Sequence, residues 1–164
     1  MNAISQQIEN EYRAELEKTK RILAVLPEDK KSWKPHEKSM SIVSLAKHIV
    51  GLQTWFQGAF KNDSYDLLTA GKPMAYSSFD ELSQILEREV NKNLDYIKSA
   101  DESFWNEEFT FRKGDYIILQ APRKDFINAM LTNHFVHHRG QLSVYLRLLD
   151  IPVPGVYGPS ADER

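Results

Sequence analysis

The sequence of 164 residues contains no cysteine. This absence excludes disulfide bonds, thiolate metal ligands and a cysteine nucleophile supplied by the protein itself. Any metal site in this chain must therefore be built from histidine and carboxylate side chains.

Long apolar runs are also missing from the amino-terminal part of the sequence. Residues 1–18, MNAISQQIENEYRAELEK, are polar and acidic, and they contain no segment typical of a signal peptide or a transmembrane helix. We therefore expect a cytoplasmic protein that does not associate with membranes.

The sequence has no strong excess of charge of either sign, because its formal net charge is -2. A balanced charge without a basic stripe gives no general attraction to a polyanion. We therefore expect no nucleic-acid partner. The hydrophobic fraction of 41% and the charged fraction of 27% are ordinary for a globular protein. Such a chain fits one domain over residues 1–164, which can bury roughly two-thirds of its unfolded surface.

Apolar residues recur at helical spacing along most of the sequence. Proline and capping residues supply the expected ends, with Pro27 ending the first helix and Pro152 stopping the last. Ser39 or Ser41 can cap the second helix, and an S-x-x-E capping box begins the third at Ser78. The predicted helices cover Ile4–Leu26, about Ser41–Phe60, Ser78 to about Ser99, and about Pro122–Leu149.

Two segments between these helices lack the helical period. The stretch from Lys61 to Tyr76 contains Gly71 and Pro73 and is interpreted as a long connection and a candidate lid. The stretch from Phe109 to Leu119 alternates around a Lys-Gly-Asp turn, which indicates a short β-hairpin or an extended excursion. The predicted fold class is all-α, a four-helix bundle in which these two segments are additions to the helices.

The motif with the clearest chemistry lies on the last predicted helix. His134 and His138 are four residues apart, so both can face one ion from a single helix. His48 lies on the predicted apolar face of the second helix and is the best third ligand, whereas His36 lies in an irregular connection. Three histidines leave the fourth position of a tetrahedral ion open, which is typical of catalytic rather than structural zinc.

Other interpretations of these residues stay open on the sequence alone. A pair of histidines at this spacing can occur by chance as surface or core residues. His137 leans off the shared face, so it is interpreted as a surface residue, with a proton-shuttle role as the lesser alternative. Arg139 faces either solvent or a carboxylate, with the binding of an anionic substrate near the metal as the lesser alternative. Asn133 and Gln141 are either exposed or hydrogen-bonded to a ligand histidine.

Taken together, the segments SMSIVSLAKHIVGLQTWF and NHFVHHRGQLSVYLRLLDIPVPGVYGPSADE resemble the DinB family, the DinB and YfiT-like metal-binding bundles rather than the DNA polymerase of similar name. The resemblance covers nearly the whole chain. It implies that a histidine of the second helix and an H-x-x-x-H pair of the last helix hold zinc or nickel, at positions that match His48, His134 and His138. It further implies a down-down-up-up bundle and a homodimer.

For function, the resemblance implies a metal-dependent hydrolase or a transferase that uses a low-molecular-weight thiol such as bacillithiol or mycothiol. A small molecule would then be the substrate. The lack of cysteine fits a thiol supplied from outside, but it fits hydrolysis equally well. The alternative is a non-catalytic, stress-linked protein in which the metal only stiffens the bundle. No catalytic residue and no thiol-binding residue is assigned from the sequence.

Overall fold

The computed structural model describes residues 1–69 and 75–163. Four long helices form about half of this part of the protein. They are α1 (Ala3–Leu23), α2 (Ile42–Lys61), α3 (Phe79–Ser99) and α6 (Asn133–Leu148), and between α3 and α6 lie the shorter helices α4 (Glu102–Asn106) and α5 (Arg123–Phe126). Helices α1 and α2 both pack against α3, and α6 packs against α1 and α2.

The helices begin where the sequence supplies a cap. The side chains of Asn2, Ser41 and Ser78 accept hydrogen bonds from backbone amides in the first turns of α1, α2 and α3. These bonds satisfy amide groups that have no partner inside the helix. Of the two candidates for the second helix, Ser41 is the cap. Three of the predicted helix starts are therefore confirmed to within about two residues, the usual uncertainty of a helix end.

A mixed sheet accompanies the helices, so the prediction of an all-α fold was wrong. The three strands are β1 (Ser64–Asp66), β2 (Glu108–Lys113) and β3 (Tyr116–Pro122), in the order β1-β2-β3. Strands β2 and β3 form the antiparallel hairpin that the sequence indicates, and they turn at Gly114, whose φ of 59° favours glycine.

Strand β1 explains why the prediction of an all-α fold failed. Strand β1 pairs parallel to β2, with Tyr65 opposite Phe111, and it lies within the segment predicted to be a plain connection. A strand of three residues is too short to show an alternating pattern in the sequence. Residues 70–74 of the candidate lid, which include Gly71 and Pro73, lie outside the described residues.

The core lies between the helices and beneath the sheet. Alternate residues of β2 point inward, so Phe109 and Phe111 are buried and pack against Phe126 of α5. The sheet therefore closes one end of the helical core with aromatic side chains. Within the described residues, the helices lack the combination of length and apolar character that crossing a membrane requires.

Candidate metal centre

The structure brings together the three histidines that the sequence singles out. One ring nitrogen from each of His48, His134 and His138 lies within 4.8 Å of the others. His48 Nε2 and His134 Nε2 are 3.4 Å apart, and the ring centres of His134 and His138 are separated by 4.4 Å. We call these three residues the histidine cluster.

Two helices position the histidine cluster. His48 follows the buried residues Leu45 and Ala46 of α2 and precedes Ile49, so its side chain is directed toward the neighbouring helix. His134 and His138 lie one turn apart on α6. Because α2 and α6 pack against each other, the three rings meet between two rigid elements rather than on loops.

A π-helical turn precedes the histidines of α6. Residues Ile127–Thr132 form this wider turn between α5 and α6, where the sequence predicts one continuous helix from about Pro122. Such turns are rare and often lie at functional sites, because the added residue redirects the side chains that follow. No feature of the apolar spacing distinguishes this turn from an ordinary helix.

Burial and mutual proximity keep these imidazoles neutral. Desolvation, together with the neighbouring His138 and His134, lowers the pKa of His48 to about 4. Desolvation also lowers the pKa of His134, as does His138, while the Met130 backbone raises it in part. For His138, desolvation again lowers the pKa, and the hydrogen bond that its ring donates to Gln141 opposes this shift. Neutral imidazole is the form that binds a metal.

One ring nitrogen of the histidine cluster fits a metal better than it fits the protein alone. His138 Nε2 is buried and makes no hydrogen bond within the described residues. A buried polar atom without a partner is costly, and it calls for an explanation such as an ion or a bound water. Three neutral imidazoles with lone pairs to offer are a donor set that suits zinc, nickel, copper or iron.

Aromatic side chains form one wall of the site. Trp55 is half-buried on α2, with its ring centre 5.8 Å from that of His48 and 5.6 Å from that of His134. Phe111 of β2 packs behind Trp55 at 4.9 Å, and Tyr65 of β1 stacks on Phe111 at 6.2 Å. The three-stranded sheet, of which the sequence indicates only the hairpin, therefore supports the wall beside the histidine cluster.

The other polar residues singled out in the sequence lie in different places. His137 and Asn133 are exposed on α6, and His36 is exposed in the connection before α2, where its Nδ1 accepts the Lys38 amide. Gln141 contacts the histidine cluster, because its Oε1 is 2.7 Å from His138 Nδ1. Of the two amides considered as partners for a ligand histidine, only Gln141 makes such a contact among the described residues.

Arg139 faces a carboxylate rather than solvent. Its side chain is buried and pairs with Glu15 of α1 at 2.6 Å. The guanidinium also donates to the Thr19 hydroxyl and to the Tyr157 hydroxyl of the carboxy-terminal segment. We call Arg139, Glu15, Thr19 and Tyr157 the arginine cluster. No spacing rule linked Glu15 and Tyr157 to this arginine, since they are distant in sequence.

Comparison with known proteins agrees with the fold. YrdA, an uncharacterized protein of Bacillus subtilis (strain 168), is 34% identical over 59 residues, a match spanning 36% of this chain and 35% of that protein. The crystal structure of the DinB-like protein YjoA from Bacillus subtilis shares 18% identity over 96% of this chain and 99% of YjoA, with a TM-score of 0.72. A DinB-like protein from Bacillus cereus shares 21% identity over 93% of this chain and 97% of its own, with a TM-score of 0.73.

Those structural likenesses establish the fold alone, and the match to YrdA covers about a third of that protein. The family assignment rests on a broader match. The sequence profile of the DinB family matches residues 1–164, which is the whole chain. The protein therefore belongs to the DinB family.

Proposed function

We propose that this DinB protein binds one divalent metal ion through His48, His134 and His138, and that the ion serves a reaction on a small molecule. The reaction is either a hydrolysis or a transfer to a low-molecular-weight thiol such as bacillithiol. The observation that carries the proposal is the convergence of three neutral imidazoles, each from a rigid helix, within 4.8 Å of one another.

The composition of the site favours a catalytic over a purely structural metal. Within residues 1–69 and 75–163, the ligand group contains these three histidines and no carboxylate. Structural zinc is almost always held by four protein ligands, whereas catalytic zinc is held by three and keeps one position for water or substrate. Zinc and nickel are the metals we propose, since imidazole suits both.

The protein's own residues prepare the site for such chemistry. Burial keeps the histidines neutral and so available as ligands at neutral pH. Trp55 packs against one side of the cluster and gives the site an apolar wall. A metal bound there would supply Lewis acidity, which lowers the pKa of a coordinated water or thiol toward neutrality.

Substitution with Co²⁺ tests the proposal and separates the two reactions, because its absorption reports which ligands surround the ion. We expect one Co²⁺ per chain with the spectrum of an imidazole site. A new sulfur-to-cobalt charge-transfer band after addition of bacillithiol would support the thiol transferase.

An unchanged spectrum together with metal-dependent hydrolysis of ester or amide substrates would support the hydrolase. Metal binding with neither response would contradict the enzymatic proposal and favour the non-catalytic alternative. The cytoplasmic location and the homodimer expected from the sequence stay predictions.

A further inference from the structure

Gln141 makes the one side-chain hydrogen bond that reaches the histidine cluster from outside it, among the described residues. We infer that Gln141 is a positioning residue, which holds His138 as the Nδ1–H tautomer and so presents its Nε2 lone pair to the metal. The inference rests on the metal binding proposed above.

The contact is short and lies on a rigid element. Gln141 Oε1 is 2.7 Å from His138 Nδ1, and the two residues are three apart on α6, so they share one helix face. His138 is only 8% exposed, which leaves its ring little freedom to choose other partners. The sequence places His134, His138 and Gln141 at i, i+4 and i+7 of the same helix.

The lack of a hydrogen-bond partner for His138 Nε2 in the described residues indicates which of the two ring nitrogens carries the proton. A neutral imidazole carries one N–H and one lone pair. If the Gln141 amide nitrogen faced the ring instead, Nδ1 would accept and Nε2 would carry the N–H. That N–H would be buried without an acceptor in the described residues, at a cost of a lost hydrogen bond. The arrangement with Oε1 accepting from Nδ1–H leaves a lone pair at Nε2, which also lacks a partner in the described residues but is the group that the proposed metal would bind.

The three histidines therefore differ in whether a residue outside the cluster fixes their tautomer. His48 and His134 contact each other through their Nε2 atoms at 3.4 Å, so either ring can hold the shared proton. His138 is fixed by a partner outside the cluster. Hydrogen bonds of this kind set the orientation and basicity of a ligand histidine, and their loss typically costs 10- to 100-fold in metal affinity.

The first test needs no metal. Side-chain ¹⁵N NMR of the metal-free protein at pH 7.5 distinguishes the two tautomers of each histidine. We expect the wild-type His138 to be Nδ1–H, and we expect Gln141→Met, which keeps the length of the side chain but lacks the acceptor, to give a mixture. A wild-type His138 that is Nε2–H would overturn the inference, and so would an unchanged tautomer in Gln141→Met.

The second test measures Zn²⁺ affinity with a competing chelator. Gln141→Met should weaken binding about 10- to 100-fold, while Gln141→Glu, which keeps an acceptor, should bind at least as tightly as wild type. Asn133→Leu is the matched control, since it removes an exposed amide beside His134, and it should leave the affinity unchanged.

Equal weakening by Gln141→Met and Gln141→Glu would overturn the inference, because it would indicate a role for packing rather than for the acceptor. The two proposals fail in different ways. A wild-type protein that binds no Zn²⁺ yet shows the Nδ1–H tautomer at His138 would contradict the proposed function and still support the role of Gln141 in fixing this ring.

Discussion

Two buried polar side chains occupy consecutive positions on α6, and they differ in how their polar atoms are satisfied. Arg139 is 2% exposed, and its guanidinium is paired with Glu15, Thr19 and Tyr157. His138 is 8% exposed, and its Nε2 has no partner in the described residues. The Arg139 guanidinium therefore has its hydrogen-bond partners inside the protein. His138 Nε2 has none in the described residues and can bind a ligand.

The difference separates a structural polar cluster from a candidate site. A buried charge that is fully paired ties elements together, and here the arginine cluster joins α1, α6 and the carboxy-terminal segment. A buried lone pair beside two others offers a ligand position instead. We therefore expect changes in the arginine cluster to affect stability, and changes in the histidine cluster to affect metal binding.

The largest effect is expected in the histidine cluster. His134→Ala should abolish stoichiometric metal, because one of three ligands is lost, while the helical circular dichroism stays largely intact since packing stabilises the helices. The matched control is His137→Ala, which alters an exposed histidine on the same helix and should retain the metal. Metal analysis and circular dichroism of both variants check this. Loss of metal in His137→Ala would mean that the ligand pair is wrongly assigned.

The next largest effect is expected in the arginine cluster. Arg139→Met should lower the free energy of unfolding by roughly 3 kcal/mol, because the buried Glu15 carboxylate loses its buried arginine partner. This is the lower end of the usual range, since Lys18 still lies 2.6 Å from Glu15. Urea unfolding of the metal-free protein measures the change. A loss below about 1 kcal/mol, the value of an exposed ion pair, would show that this cluster is not structural.

Tyr157→Phe should have a smaller effect in the same cluster. The Tyr157 hydroxyl accepts from Arg139 at 2.6 Å and donates to Glu15 at 2.9 Å, while the ring is largely exposed. We expect the free energy of unfolding to fall by about 1 kcal/mol, the usual net value of a hydrogen bond. Metal affinity should not change. A Tyr157→Phe variant that loses metal but keeps its free energy of unfolding would contradict the structural role of the arginine cluster.

The smallest effect is expected from moderate acid. Three histidines with an ordinary pKa near 6.5 would lose roughly 50-fold in metal affinity between pH 7.5 and 6, because protons compete for all three ligands. Burial lowers the pKa of each member of the histidine cluster, that of His48 to about 4. We therefore expect a loss of less than about tenfold, measured by titration with Zn²⁺ at both pH values. A 50-fold loss would contradict the lowered pKa values.

The same shifts act on the metal-free protein in a defined direction. The unfolded chain binds protons to these histidines as the pH falls below about 6.5, while the folded chain resists them until lower pH. The free energy of unfolding of the metal-free protein should therefore decrease as the pH falls from about 6.5 toward 4.

Much of the helical structure could be predicted from the sequence, because apolar spacing and capping are local signals. Ser41 and Ser78 begin their helices as expected, and the hairpin around Gly114 is present. The fold class could not be predicted in the same way. It depends on β1, a short strand that pairs with β2 more than forty residues along the chain, as the register of Ser64 with Thr110 shows.

The candidate site follows the same division between local and distant signals. The spacing of His134 and His138 and the apolar face around His48 suffice to select the histidine cluster. The partners of Arg139 come from α1 and the carboxy-terminal segment, and the support for Trp55 comes from the sheet. Such contacts depend on tertiary packing, which single-sequence patterns do not encode.

The central claim is that the histidine cluster holds one metal ion, and elemental analysis tests it most directly. The protein should be purified without a histidine tag or added metal, and wild type compared with His48→Ala. We expect about one zinc or nickel per wild-type chain and none in the variant. A wild-type protein that remains without metal after reconstitution, or a variant that retains it, would contradict metal binding by His48, His134 and His138.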